Sequence, residues 1–89
     1  RKILYQKGKT MILSTQDLVS IVAAGGGIIL DTKYKSTQEL VMIASASRNK
    51  GAKIILTNLS LKSSQDLVSI ASVGNGNVIF MIDNKVPKL

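Results

Sequence analysis

One octapeptide pattern occurs three times in the chain, and it limits the fold more than any other feature. Ser14-Thr15-Gln16-Asp17-Leu18-Val19-Ser20-Ile21 returns as Ser36-Thr37-Gln38-Glu39-Leu40-Val41-Met42-Ile43. It returns again as Ser63-Ser64-Gln65-Asp66-Leu67-Val68-Ser69-Ile70. The copies start 22 and then 27 residues apart. Each opens on a serine followed three residues later by an acid, the pattern of a helix N-cap with a capping box; glutamate suits the second place better than aspartate. Within each copy the apolar residues keep helical spacing: Leu18, Val19, Ile21 and Val22; Leu40, Val41, Ile43 and Ala44; Leu67, Val68, Ile70 and Ala71. The helices are short and rich in β-branched residues, so packing must hold them.

The segment after each helix repeats as well. Gly25-Gly26-Gly27, Gly51 and Gly74-Asn75-Gly76-Asn77 are stop signals. Continuous apolar runs come next, at 28–31, 54–57 and 78–83. Runs without alternation suit a parallel sheet covered on both faces. The glycines follow helices and precede strands, whereas a phosphate loop runs strand, glycine, helix, so that motif is not met. With a first strand at 2–6, the order is β(αβ)3. Right-handed crossovers put successive helices on one side. The expected fold is a single α/β domain over 1–89, with units at 14–35, 36–62 and 63–83. Four parallel strands in chain order lie under three short helices, a solenoid-like slab. A doubly wound order with helices on both faces is the alternative.

The segments 36–45 and 63–72 resemble the first helix of a TAL-effector DNA-binding repeat, down to Ile43-Ala44-Ser45 and Ile70-Ala71-Ser72. Gly26-Gly27 follows the first copy where that family has paired glycines. The resemblance covers about ten residues per copy. That family continues into a second long helix with a longer period; here the helix is succeeded by β-branched runs too short for one. The base-reading pair is not carried over, and the likeness reads as convergence on a capped amphipathic helix. The asparagine-bearing consensus of leucine-rich repeats is absent.

Composition narrows the chemistry. The chain has neither cysteine nor histidine, which removes thiolates, imidazole bases and the usual zinc ligands. Three of its five acids belong to helix starts, leaving Asp31 and Asp83 at strand ends. Two aspartates could serve a metal or acid–base chemistry. Without histidine or a further acid nearby, the expectation is a non-enzyme with no cofactor and no metal. No apolar run is long enough to span a bilayer; the compartment stays open, with a soluble, cytoplasmic chain slightly favoured.

Two surfaces stand out. The net charge is +7, which attracts polyanions. The rim at the carboxyl ends of the strands, where ligands approach open α/β sheets, gathers Lys7, Lys9, Lys33, Lys35, Lys62, Lys85 and Lys88, beside the helix N-termini. Tyr34 could stack a base. Exposed loops also collect lysine for no functional reason. Lysine reads sequence poorly, so nucleic-acid binding would be phosphate-driven and sequence-tolerant. The other surface is the sheet face away from the helices. Ile29, Ile55, Ile79 and Met81 form one row of alternate strand residues; Ile28, Leu30, Ile54, Leu56, Val78, Phe80 and Ile82 form the other. Both are apolar, and the sequence leaves open which one the helices cover. A bare apolar row calls for a protein partner or a second copy, and the edge at 78–82 is the more adhesive because the strand at 2–6 is polar. The first expectation is thus a non-catalytic interaction or self-assembly module; the second is polyanion binding through Lys7, Lys9, Lys33, Tyr34, Lys35, Lys62 and Lys85.

Overall fold

The structure is a computed structural model that describes residues 13–82 with Leu4 and Tyr5, the last two and Tyr34 in backbone only. Three helices carry the repeated pattern: α1 (Thr15–Ala23), α2 (Thr37–Ala46) and α3 (Ser64–Gly74). Each starts behind its expected serine. Ser14, Ser36 and Ser63 are extended, and each hydroxyl accepts from the backbone N–H three residues on. The capping box closes at Ser36–Glu39 and at Ser63–Asp66. At α1 only the serine half forms. Aspartate is one methylene shorter than glutamate, and its return bond at α3 is long, 3.4 Å against 2.8 Å for Glu39.

Counting strands in chain order, the two-residue pairing Leu4–Tyr5 is β1, which runs parallel to Ile28–Ile29. The parallel sheet proper has three strands, β2 (Ile28–Asp31), β3 (Ile54–Thr57) and β4 (Val78–Phe80), adjacent in chain order. Their register aligns Ile28, Ile54 and Val78, then Ile29, Ile55 and Ile79, then Leu30, Leu56 and Phe80. β4 stops at Phe80, short of the run expected to 83, although the Met81 N–H still donates to the Leu56 carbonyl. Positions 2, 3 and 6 of the first expected strand lie outside the described residues, as does Asp83.

Register explains the core. Side chains alternate across a strand, so the Ile28 and Leu30 rows share one face and the Ile29 row takes the other. Ile28, Leu30, Ile54 and Leu56 are buried together with Leu18 and Val22 of α1, Leu40, Ile43 and Ala44 of α2, and Ile70 of α3. All three helices therefore cover the same sheet face. α1 packs on α2 and α2 on α3. The core is aliphatic, and each fully buried leucine or isoleucine contributes about 1.5–3 kcal/mol relative to exposure.

The helix ends are specific. At α1, the Gly26 N–H donates to the Ile21 carbonyl and the Gly25 N–H to the Val22 carbonyl, both at 2.9 Å. This is a Schellman motif, and Gly25 takes the left-handed conformation it needs, φ +101°. At the end of α3 the left-handed residue is Asn75, φ 51°, and Gly74 serves packing. A Cβ there would collide with a Val78 methyl and lie 3.7 Å from the Ala44 Cβ. The missing side chain lets α3 sit close to both β4 and α2.

The strand-to-helix links are short 3-10 turns, η1 (Thr32–Tyr34) and η2 (Leu59–Leu61). Among the described residues no helix is long and apolar enough to cross a membrane.

Candidate functional site

The carboxyl ends of the strands, the two 3-10 turns and the helix N-termini meet at one rim. Of the lysines assigned to it, Lys7, Lys9, Lys85 and Lys88 lie outside the described residues, and the Tyr34 side chain is not described. The structure brings Lys33, Lys35 and Lys62 to this rim, and two of these are engaged within the protein. Lys35 Nζ donates to the Thr15 hydroxyl at 3.0 Å, and Lys62 Nζ donates to the Lys35 carbonyl at 2.7 Å. Lys35 reaches back to the start of its own unit, and Lys62 reaches the unit before it. Lys33 is exposed, with its backbone N–H donating to Asp31 Oδ1 at 2.8 Å.

Thr15 is the hinge of a small polar relay. Its hydroxyl accepts from Lys35 and donates to Glu39 Oε2 at 2.8 Å, while Glu39 Oε1 accepts from the Ser36 N–H. The Ser36 backbone N–H, the Thr15 hydroxyl and the Lys35 charge together hold the Glu39 carboxyl below its ordinary value. A second clamp joins the links. Thr32, fully buried, donates through its hydroxyl to the Asn58 carbonyl at 2.8 Å, and Asn58 Nδ2 donates to Asp31 Oδ1 at 3.1 Å. Asn58 is left-handed, φ 59°, which turns that carbonyl toward Thr32. Asp31 thus serves a turn and a neighbouring unit. Among the described residues no group of three or more acids, histidines or cysteines could hold a metal ion.

The opposite pole repeats the theme with asparagine. Asn49 Nδ2 donates to the Ala23 carbonyl at 2.8 Å, and Asn77 Nδ2 to the Ser47 carbonyl at 3.2 Å. Asn49 satisfies a carbonyl left open at the end of α1, and the Ser47 carbonyl accepts from both Asn77 and the Gly51 N–H. Spacing does not reveal the pair: the donors lie 26 and 30 residues beyond their acceptors, because the loops differ in length. Arg48, Lys50 and Lys53 are exposed around them.

The row expected on the helix-free face is not one open patch. Ile29, Ile79 and Met81 are half-buried, but Ile55 is only 1% exposed. The structure instead opens a surface at the last unit. Leu40 and Ala44 are buried, each 1% exposed, whereas the matching Leu67 and Ala71 are half-buried. Val19 and Val41 are half-buried, whereas Val68 is 64% exposed. The change comes from position: α3 covers that flank of α2, and among the described residues no helix comes after α3.

Comparison with protein-family models, with curated proteins and with solved structures gave no match.

Proposed function

We propose that the chain is a non-catalytic protein-interaction or self-assembly module, built as a short stack of αβ units in which Leu4–Tyr5 serves as the first of four strands. The observation that carries this reading is the way the units are joined. The second unit contacts the first at both poles, through Thr15 to Glu39 and Lys62 to Lys35 at one and Asn49 to Ala23 at the other, and the third contacts the second through Asn77 to Ser47. The aliphatic flanks of α1 and α2 pack against the helix that follows. Such units cannot bury their apolar face alone and depend on a neighbour. Where the stack stops, that dependence becomes a binding surface.

The second reading is sequence-tolerant polyanion binding. The charge of +7 supports it, together with exposed Arg48, Lys50 and Lys53. The internal engagement of Lys35 and Lys62 counts against the rim as its site. Salt separates the two readings. Association that survives high salt in sedimentation velocity supports the first, since apolar burial is not screened. Heparin or DNA retention that collapses with salt, in a chain that stays monomeric, supports the second.

A further inference from the structure

The contacts between the helices have a direction. The forward side of one helix packs on the rear side of the next. Thr15 of α1 donates to Glu39 of α2, and Ala44 Cβ of α2 lies 3.7 Å from where a Cβ of Gly74 of α3 would stand. Exposure shows where this pairing stops. On the forward side of α3, Ser64 and Val68 are exposed where Thr37 and Val41 of α2 are half-buried, and Leu67 and Ala71 are half-buried where Leu40 and Ala44 are buried. On the rear side of α1, Asp17 and the cap residue Ala24 are exposed where Glu39 and Ala46 are half-buried, and Ile21 is half-buried where Ile43 is buried. Each set keeps the spacing of one helix face. The two ends of the stack therefore present the two halves of one internal interface.

We propose that copies of the chain add head to tail, the forward side of α3 in one copy against the rear side of α1 in the next. This rests on the self-assembly reading above and names its two surfaces. The contact repeats the one that α1 makes with α2: a hydroxyl residue, Ser64, is set against an acid, Asp17, as Thr15 is set against Glu39. Its α3 half carries no charge and its α1 half carries an acid, so the junction adds no repulsion of its own although each chain is strongly basic. The strands must follow the helices. A helix placed after α3 has β4 as the strand before it, just as α1 has β1. Within the assembly β4 of one copy and β1 of the next therefore compete for the edge of β2. β1 pairs there through two residues, whereas β4 pairs with β3 through three, and β4 takes the slot. Contact between unlike surfaces leaves both outer ends unsatisfied, so growth passes beyond the dimer into a filament or a closed ring.

The test uses the whole chain. Sedimentation equilibrium over a wide concentration range should show an average mass that rises past the dimer, and high salt should leave this intact or strengthen it. Val68→Arg should weaken association about tenfold or more. Its unfolding midpoint at low concentration should match the parent, because the side chain it replaces is 64% exposed. The chain has no cysteine, so introduced cysteines report which surfaces meet. A bis-maleimide added to a mixture of Ser64→Cys and Asp17→Cys should join one variant to the other, and neither variant alone should cross-link. Leu4→Pro combined with Tyr5→Pro removes the backbone donors of β1 and should tighten association about tenfold, the net worth of a hydrogen bond or two. Cross-links between like variants, a mass that stops at the dimer, or association unchanged in Val68→Arg overturns the head-to-tail contact and leaves the self-assembly reading standing. Association that the double proline variant does not tighten overturns the exchange of β4 for β1. A chain monomeric at every concentration and salt overturns both readings.

Discussion

At the scale of single residues, stability should depend on side chains that bond across units. Thr32 is fully buried, and its hydroxyl is the donor to the Asn58 carbonyl. Thr32→Val keeps the shape and removes the donor, leaving a part-buried carbonyl unsatisfied. Urea unfolding should show a loss of about 1–3 kcal/mol. Gly74 tests packing in the opposite sense. Gly74→Ala drives a Cβ into the Val78 methyl and should cost about 1–3 kcal/mol as overpacking. In a Val78→Ala background that cost should shrink, because the colliding methyl is gone; a full cost there, seen in a double-mutant cycle, would place the strain elsewhere. Glu39 gives a pH signature. Its folded pKa lies below the unfolded value of 4.5. Its contribution is therefore fully present above 4.5 and is lost as pH falls from there through the folded pKa. The stability gap between the parent and Glu39→Gln should be flat at neutral pH and should narrow across that acid window; a gap independent of pH would show that the carboxylate charge is not what Ser36 and Thr15 stabilise.

At the scale of elements, the helix starts and the three parallel strands were legible because their causes are local. A serine followed by an acid at the third place is a short-range signal, and a continuous β-branched run has few other uses. The Gly25 stop was legible too, since left-handed backbone selects glycine. The links were not. Nothing in Thr32-Lys33-Tyr34 or Leu59-Ser60-Leu61 marks a 3-10 turn, and these turns depend on contacts such as Thr32 to Asn58 that lie 26 residues apart. For Lys33, Lys35 and Lys62 the placement at the rim was legible, and the use of the last two was not. Composition shows that Lys35 and Lys62 sit near helix starts, but not that their ammonium groups reach Thr15 and the Lys35 carbonyl. Matching sequence also hid unequal burial: Leu40 and Leu67 occupy the same place in the pattern, yet only Leu40 is fully covered. Leu40→Ala should cost about 2–5 kcal/mol and Leu67→Ala clearly less, since the cavity term requires a surrounded side chain. Equal costs in denaturant unfolding would mean that α3 is covered as fully as α2.

At the scale of the whole molecule, the question is whether the units are interchangeable. If burial between neighbours is the dominant stabilising term, stability behaves as a sum of unit terms and nearest-neighbour interfaces. An extra unit placed in the middle then adds one of each and disturbs neither end. Residues 36–62 contain one helix, one strand and one link, and they begin and end at equivalent places: Ser36 comes after Lys35 as Ser63 comes after Lys62. A second copy of 36–62 inserted between Lys62 and Ser63 gives the new helix an α2 flank to cover and an α3 to cover it. It also gives Lys62 the carbonyl of another Lys62 to bond, where it now takes that of Lys35. The expected protein is folded, with helix content raised by one helix, a steeper urea dependence in proportion to its larger buried surface, and a higher unfolding midpoint. A closed layered domain would react differently, since its sheet order and its loops are fixed by the ends of the chain, and twenty-seven added residues would have no place in the core. An insertion variant that is unfolded, or that carries the insert as an unstructured loop with the parent's midpoint, would show that these three copies make one indivisible fold and not a stack.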